Sequence, residues 1–151
     1  MSLVIVYNAP DCQIWCSDGL TVSRQGTQVS QVCASAKKIM PIPNNQIACG
    51  WVGEKYDAEF IIENLRLSHS VSLAGFLGDV SKKCYKVNCF SRDRCEQSDQ
   101  VYCPTGLLVG GYLSGQKFLA MVSPEGQIQR YKRFGSIGIG ADTVSAKLGS
   151  Y

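Results

Sequence analysis

The sequence predicts an α+β protein, a four-layer α-β-β-α sandwich in which helices cover two antiparallel sheets. Three observations support this fold class. Short apolar runs rich in β-branched residues lie in both halves of the chain, two adjacent segments of helical period lie between them, and turn residues separate the runs. We therefore expect two antiparallel sheets that are separated and covered by helices.

The first 18 residues predict a hairpin. Residues 3–7 form an apolar, β-branched run, residues 8–11 carry turn chemistry, and residues 12–17 suit a returning strand. Removal of Met1 would make Ser2 the first residue of a strand, with an α-amine beside its hydroxyl. An α-amine has a reference pKa of about 7.7–8.0 and is partly neutral at working pH, so this one residue could supply both a nucleophile and a general base.

Ser2 also has an ordinary interpretation. Residues 1–3 suit a leader or a simple chain start, in which the serine has no chemical role. A triad of serine, histidine and acid gains little support, because the only histidine, His69, lies in a polar segment that suits a connection between helices. The rest of the chain has to decide between these interpretations.

After the hairpin, the pattern predicts a polar loop and then two antiparallel hairpins. Glycines bound the loop at residues 19–26, and prolines close a short strand at residues 37–43. Partial alternation marks residues 28–33, and residues 46–52 suit a further strand that ends at Gly53.

Residues 54–67 change to a helical period, and a second helix is predicted from about Ser70. Acidic residues in the first turns of the first helix suit a helix N-terminus. The apolar residues at helical spacing are assigned to the core, without a chemical role. They are Tyr56, Phe60, Ile61 and Leu65 in the first helix and Leu73, Phe76, Leu77 and Val80 in the second.

The strand pattern returns after residue 105. Apolar runs at residues 106–112, 117–122 and 127–131 are separated by turns that contain glycine, proline or serine. A glycine-rich turn then leads into a last helix over about residues 141–148. Strands, two helices, strands and a helix are the order that the sandwich requires.

Composition favours a single domain over residues 1–151. Hydrophobic residues make up 45% of the chain and charged residues 18%, which provides enough apolar material for a core. The net charge of +3 is too small, and the basic residues too scattered, to indicate nucleic acid. The longest apolar runs fall well short of the ~20 residues that span a bilayer, and the N-terminus lacks signal-peptide features. We therefore predict a cytoplasmic protein without a membrane or nucleic-acid partner.

Residues 84–103 differ from their surroundings and predict a cysteine-rich insert that forms a surface loop. Thiolates bind Zn²⁺ tetrahedrally, but the spacing lacks the tight C-x2-C pairs of zinc sites, so reduced thiols rank first, zinc second and disulfides third. We predict no cofactor. The zinc candidates are Cys84, Cys89, Cys95 and Cys103, whereas Cys12, Cys16, Cys33 and Cys49 are interpreted as small core residues.

The order of these elements resembles the proteasome family of N-terminal nucleophile hydrolases, which includes the peptidase subunit of the bacterial two-component ATP-dependent protease. The resemblance covers most of the chain. Ser2 falls on the position of the nucleophile, usually threonine, and Asp18 on the acid that ends the second strand. Residues 37–39 and 47–53 resemble the lysine strand and the strand that follows it. Residues 106–112, 123–126 and 135–141 resemble the later strand pair and the entrance to the third helix.

The resemblance implies a role for each of four residues. Ser2 would attack a peptide carbonyl, with its own amine as general base. Lys38 would lower the proton affinity of that amine and hydroxyl, and Asp18 would hold Lys38 by pairing with it. The backbone N–H of Gly53 would stabilise the oxyanion, and one such donor is typically worth ~3–4 kcal/mol. Individually, the last three also suit a solvated strand lysine, a turn residue and a glycine at a helix entrance.

The chain departs from the family pattern in three respects. Ile139 stands where the family has a serine in a Gly-Ser-Gly turn, and Asp-Gly-Leu replaces Asp-Ser-Arg at Asp18. The sequence ends at Tyr151, so we expect the family's last strands, with the acid and serine that support the amine, to be lacking. We expect a partner at the sheet edge that this would leave open.

The resemblance also implies assembly into homo-oligomeric rings that enclose the active sites. Peptides or proteins would be substrates, and an ATPase unfoldase or other proteasome-like subunits would be partners. Three functions follow: a threonine-peptidase-type hydrolase that uses Ser2, a catalytically inactive subunit for assembly or partner binding, and a small amide hydrolase that shares the mechanism.

Overall fold

The structure of the chain is a computed structural model that describes residues 2–25, 28–33, 35–42, 46–65 and 72–149, with the backbone alone for 21–25, 28–33 and 149. Met1, His69, Ser70 and Tyr151 lie outside these residues. The elements are β1 (Leu3–Asn8), β2 (Gln13–Ser17), β3 (Thr21–Gln25), β4 (Gln28–Cys33), β5 (Ile39–Pro41), β6 (Gln46–Val52), α1 (Lys55–Glu63), α2 (Leu73–Ser98), β7 (Gly106–Leu113), β8 (Gln116–Val122), β9 (Ile128–Arg130), β10 (Phe134–Gly138) and α3 (Ala141–Gly149).

The predicted N-terminal hairpin is confirmed and forms part of a three-stranded sheet. Strand β1 lies in the centre, antiparallel to β2 on one side and to β10 on the other. Alternate residues of β1 face inward, so Val4 and Val6 are fully buried while Tyr7 is exposed. Ile137 of β10 pairs with Val4 and is also buried. The alternation of the sequence therefore sets one apolar face of this sheet.

The second sheet has five antiparallel strands in the order β5-β6-β7-β8-β9, and β3 and β4 form a separate ribbon. Each strand of this sheet pairs with the next one in chain order, and α1 and α2 lie between β6 and β7 in the sequence. Strand β7 is buried on both faces, from Gly106 to Gly111. This continuous burial places β7 in the middle of the sandwich.

Two apolar cores hold the layers together. One core joins α1 and α2 to the five-stranded sheet through residues such as Ile61, Phe76 and Leu107. The other lies between the sheets, where Leu108 and Leu119 meet the inner face of β1 and β10. On the outer face of β10, α3 packs through a hydrogen bond of 3.0 Å between the hydroxyls of Ser136 and Ser145. The four-layer α-β-β-α sandwich is thus confirmed; the prediction that the family's last strands are lacking stays a prediction.

The predicted surface loop over residues 84–103 is wrong, because most of it is the second half of α2. Ser72 caps this helix by accepting a hydrogen bond of 3.1 Å from the amide of Gly75. The inward positions continue at helical spacing but change from large apolar residues to small and polar ones. They are Leu73, Phe76, Leu77, Val80, Cys84, Asn88, Ser91 and Cys95. The second half of α2 therefore lacks the apolar stripe by which a buried helix face is predicted from the sequence.

Two apolar residues that the sequence assigns to the core are exposed. Tyr56 is 76% and Phe60 59% exposed, whereas Ala58, Ile61 and Ile62 face inward from α1. The buried side of α1 is therefore formed by residues 57, 58, 61 and 62, and the two aromatic rings lie on the opposite side. The assignment of Ile61, Leu65 and the four apolar residues of α2 to the core is confirmed.

The predicted loop over residues 19–26 is also wrong, since it contains strand β3, and the glycine-rich turn after residue 131 contains strand β10. Both segments extend by pairing with a partner strand, which their own composition does not indicate. Cys49 is buried as predicted, but Cys12 and Cys16 are exposed, and the side chain of Cys33 lies outside the described part. In the residues described, none of the helices is long and apolar enough to span a membrane.

Candidate active site

Lys38 is a buried cation that contacts Ser2. Only 1% of the Lys38 side chain is exposed, and its Nζ donates a hydrogen bond of 2.9 Å to Oγ of Ser2. The same ammonium group forms an ion pair with Oδ1 of Asp18. A buried ammonium is stable only when oxygen partners replace its water, and these two side chains supply them. The structure therefore joins three of the four residues singled out from the sequence.

Asp18 is held as an anion by several donors. Its carboxylate is 38% exposed and accepts hydrogen bonds from Lys38, from the amide of Leu3 and, at 3.1 Å, from the amide of Leu20. Burial pushes the pKa of Asp18 upward, but the bonds from Lys38 and the two amides, together with the Lys38 charge, outweigh this effect and lower the pKa overall. Asp18 consequently stays ionised and compensates Lys38 at neutral pH.

The three residues come together because they lie at the ends of strands in both sheets. Ser2 precedes β1 and Asp18 follows β2, which are hairpin partners, so their positions are fixed by one antiparallel register. Lys38 precedes β5 in the five-stranded sheet, and β5 lies against β2. Its carbonyl accepts a hydrogen bond of 3.0 Å from the amide of Trp51 in β6. The packing of the two sheets therefore assembles the cluster.

Gly53, the predicted oxyanion donor, is linked to this cluster through the backbone. It lies two residues after Trp51, at the end of β6, and immediately before Glu54, the N-cap of α1. Its φ of 102° favours glycine, and a Cβ at this position would overlap the carbonyl of Pro104. A glycine is thus required for the chain to turn from β6 into α1 here.

Ile139, which the resemblance places where the family has a serine, contacts Ser2 through the backbone. Its amide donates a hydrogen bond of 2.9 Å to the carbonyl of Ser2, while 64% of its surface is exposed. The neighbouring Gly138 has a φ of 107°, and a Cβ there would overlap the same carbonyl. This approach needs glycine, so β10 ends against Ser2 only because residue 138 carries no side chain.

The four zinc candidates are not assembled into a metal site. Cys84 and Cys95 are buried, Cys89 is partly buried and Cys103 is exposed. Within the described residues, histidine, cysteine, aspartate and glutamate side chains form no group of three or more that could hold a metal ion. Burial raises the pKa of the Cys84 thiol to about 12, and the charge of Glu125 adds to this effect. Cys84 is accordingly a neutral thiol.

A groove of about 620 Å³ lies between β10 and α3, lined by residues that include Tyr131, Arg133 and Asp142. The four predicted site residues do not line it. It is therefore separate from the Lys38 cluster.

Sequence reasoning missed the groups that support the predicted residues. The amides of Leu3, Leu20 and Ile139 belong to the backbone and carry no sequence signal. Thr105, whose Oγ1 accepts a hydrogen bond of 3.0 Å from the amide of Glu54, lies 51 residues away in the chain. Asn88 follows the buried Cys84 at the helical spacing of four residues, and this spacing is the sequence signal that places Asn88 on the buried face of α2.

Comparisons with known proteins agree with this architecture. The family model described as Proteasome subunit matches residues 11–149. No protein among the curated sequences matches the chain.

Several solved structures are similar. Anbu (ancestral beta-subunit) from Yersinia bercovieri has a TM-score of 0.69 at 15% identity, over 91% of this chain and 61% of its own. The Gly-1 mutant of Anbu from Hyphomicrobium sp. strain MC1 has a TM-score of 0.67 at 12% identity, over 92% and 60%. Eukaryotic HslV from Trypanosoma brucei has a TM-score of 0.62 at 15% identity, over 98% and 78%. The matched region is about 60% of the length of each Anbu chain, and at these identities the likeness shows a shared fold.

Proposed function

This chain belongs to the proteasome subunit family, and we propose that it is an N-terminal nucleophile hydrolase that cleaves peptide bonds with Ser2. The observation that carries the proposal is the hydrogen bond of 2.9 Å from the buried Lys38 ammonium to Oγ of Ser2. A cation that is removed from water favours negative charge on a neighbouring oxygen more strongly than a solvated one. The Lys38 ammonium therefore favours loss of the proton from the Ser2 hydroxyl.

The first chemical step uses the α-amine of Ser2, which becomes free once the residues before Ser2 have been removed. Oγ attacks the carbonyl carbon of the substrate, and the amine takes the hydroxyl proton directly or through a water. The carbonyl oxygen becomes an oxyanion, and the N–H of Gly53 would donate to it. Lys38 favours the neutral amine and the developing alkoxide, while Asp18 keeps Lys38 in place.

The second step releases the products. The protonated amine gives its proton to the leaving nitrogen as the C–N bond breaks, which leaves an ester on Ser2. A water then attacks the ester carbonyl and transfers a proton to the amine, and the acid product departs as Oγ recovers its proton. The complete cycle returns the cluster to its starting protonation state.

We further propose that the subunit acts in a homo-oligomeric ring on peptide or protein substrates, with an ATPase unfoldase or other proteasome-like subunits as partners. Membership of the proteasome subunit family supports this. A single domain over residues 1–151 and a cytoplasmic location remain our predictions from the sequence.

A second candidate function is an inactive subunit that keeps the sandwich for assembly or partner binding. The observation in its favour is that Ile139, which the resemblance aligns with a family serine, is an aliphatic residue that is 64% exposed. Such a residue offers no hydroxyl to the nucleophile, so the site would have to work with fewer donors.

The test is intact-mass spectrometry of protein purified without an N-terminal tag, before and after incubation with a peptide epoxyketone. We expect the mass of a chain that begins at Ser2 and the addition of one probe molecule. Ser2→Ala should remove the adduct, whereas Ser98→Ala, at an exposed serine on the end of α2, should keep it.

Two results would contradict the proposal. A chain that retains Met1, or a free Ser2 that stays unlabelled at high probe concentration, would exclude an active nucleophile. The inactive subunit would then be the better description, and ring formation, measured by mass photometry, would become the property to pursue.

A further inference from the structure

Asn88 is a buried side chain on α2 that holds the backbone of Thr105 on both sides. It is 4% exposed. Its Oδ1 accepts hydrogen bonds from the Thr105 amide at 2.8 Å and from the Tyr102 hydroxyl at 2.6 Å. Its Nδ2 donates to the Thr105 carbonyl at 2.9 Å and to the Cys84 carbonyl at 2.8 Å. One carboxamide therefore replaces the pairing that a neighbouring strand would give to Thr105.

Thr105, which Asn88 holds in place, in turn bonds the start of α1. It is fully buried, and its Oγ1 accepts a hydrogen bond of 3.0 Å from the amide of Glu54. The hydroxyl also donates to the carbonyl of Glu54 at 3.4 Å. The peptide before Glu54 is thus held by Thr105, whereas the carbonyl of Glu54 also accepts a hydrogen bond of 3.1 Å from the amide of Ala58 in α1.

Gly53 lies in direct contact with the same segment. A Cβ on Gly53 would overlap the carbonyl of Pro104 and approach Cα of Thr105 to 2.7 Å. Its backbone at φ 102° is consequently packed against a segment whose position is set by Asn88. A shift of Thr105 would move Gly53 and Glu54 together.

We propose that Asn88 is a positioning residue that sets the direction of the Gly53 N–H through Thr105. The inference rests on the proposed function, in which that N–H stabilises the oxyanion. Donors of this kind act only when held within about 0.5 Å of their place, and a displacement of about 1 Å lowers the rate on the order of 100-fold. A neutral amide suits the task because it fixes both a donor and an acceptor without adding charge to the site.

The cluster itself offers a matched pair of variants. Asn88→Ala frees the amide of Thr105 and leaves its carbonyl with the Cys84 thiol alone, at 3.4 Å, whereas Tyr102→Phe removes one hydrogen bond of Asn88 and leaves those to Thr105 in place. A merely structural role predicts that both variants, once folded, are labelled at the wild-type rate. A positioning role predicts that only Asn88→Ala changes the position of the Gly53 N–H and lowers the labelling rate.

The first readout is the kinetics of labelling by the peptide epoxyketone. We expect Asn88→Ala to lower the maximal labelling rate about 10- to 100-fold with an unchanged half-saturating concentration, because the loss is confined to the transition state. Tyr102→Phe should label within about twofold of the wild type. Equal losses in both folded variants, or no loss in either, would overturn the inference.

The second readout does not require an active enzyme. Hydrogen exchange measured by NMR should be at least about tenfold faster at the Glu54 amide in Asn88→Ala, and the Gly53 amide resonance should shift, with neither change in Tyr102→Phe. If the wild type does not label, the proposed function fails, and this comparison alone decides whether Asn88 positions Gly53. An unchanged Gly53 resonance would exclude it.

A further variant covers the case in which Asn88→Ala does not fold. Thr105→Val keeps the shape of the side chain but removes the acceptor of the Glu54 amide. It should show the same loss of labelling rate and the same faster exchange at Glu54. Wild-type values for both would overturn the inference.

Discussion

Two polar clusters lie inside this protein, and they differ in charge. Ser2, Asp18 and Lys38 contain an ion pair in which the lysine is 1% and the aspartate 38% exposed. The cluster of Asn88, Tyr102 and Thr105 is neutral, and burial, the largest influence, raises the pKa of the Tyr102 hydroxyl to about 12.

A buried ion pair stabilises a fold poorly, because desolvation offsets most of its attraction. A neutral network whose donors and acceptors are all paired has no such penalty and fixes geometry firmly. We infer that the charged cluster is present for chemistry and the neutral cluster for position. Variants that separate charge from hydrogen bonding test this contrast.

The largest effect on stability is expected from Asp18→Asn. It leaves the Lys38 ammonium buried without its counter-ion, and breaking a buried pair in this way costs about 3–5 kcal/mol; we expect about 3 kcal/mol because Asp18 is partly exposed. Urea denaturation measures the change. Asp79→Asn, which breaks the partly exposed Asp79–Lys83 pair on α2, is the matched control and should change stability by at most about 1 kcal/mol. Equal effects would show that Lys38 finds another partner.

The next largest effect is expected from Asn88→Ala. The amide of Thr105 loses its partner inside the protein and the carbonyl keeps only the Cys84 thiol, and a buried unsatisfied polar group costs about 1–3 kcal/mol. Denaturant unfolding again reports the free energy of unfolding. Asn64→Ala, at an exposed asparagine whose Nδ2 bonds the carbonyl of Phe60, should stay within about 0.5 kcal/mol of the wild type. A comparable loss in the control would mean that burial is not the cause.

A smaller effect on stability, but a large one on chemistry, is expected from Lys38→Met. The change removes the buried charge and keeps the length of the side chain, while Asp18 retains the amides of Leu3 and Leu20 and contact with water. We expect the free energy of unfolding to change by no more than about 1 kcal/mol and epoxyketone labelling to fall by on the order of 100-fold or more. Labelling at the wild-type rate would remove Lys38 from the mechanism.

The smallest effect is a difference in pH dependence. The pKa of Asp18 is lower in the folded state than its ordinary value of 3.8, so its stabilising contribution is complete above that value and is lost as the pH falls through the folded pKa. The stability difference between the wild type and Asp18→Asn should therefore shrink in acid. The difference for Asn88→Ala should stay constant from about pH 7 to about pH 3, because the Tyr102 hydroxyl remains protonated throughout. Parallel thermal melts over this range measure both stability differences. If the difference for Asn88→Ala also shrank in acid, the contrast between a charged and a neutral cluster would be contradicted.

The accuracy of prediction from the sequence also differs between the two clusters. The N-terminal hairpin and the strand from residue 46 to Val52 follow from apolar alternation and turn residues, so Ser2, Asp18 and Gly53 could be placed at element ends. The region around Asn88 was predicted as a loop because its helix face is built of small and polar residues. Periodicity detects burial only where burial coincides with hydrophobicity.

The two overlooked strands have a related explanation. Residues Thr21–Gln25 are mostly polar, and Phe134–Gly138 is rich in glycine. Both are extended because another strand supplies their hydrogen bonds, β4 for the first and β1 for the second. Strand propensity depends on such context more than helix propensity does.

By itself, the sequence determined the fold class and most of the elements, because local periodicity and turn chemistry act over a few residues. The resemblance to the proteasome family then singled out Ser2, Asp18 and Lys38. Only the tertiary structure decided that these three side chains lie in contact. Lys38 lies 36 residues from Ser2 and 20 from Asp18, and the bonds of Asn88 to Thr105 span 17 residues. Contacts over such separations follow from how the two sheets pair and pack, and no local pattern encodes the final distance between two side chains.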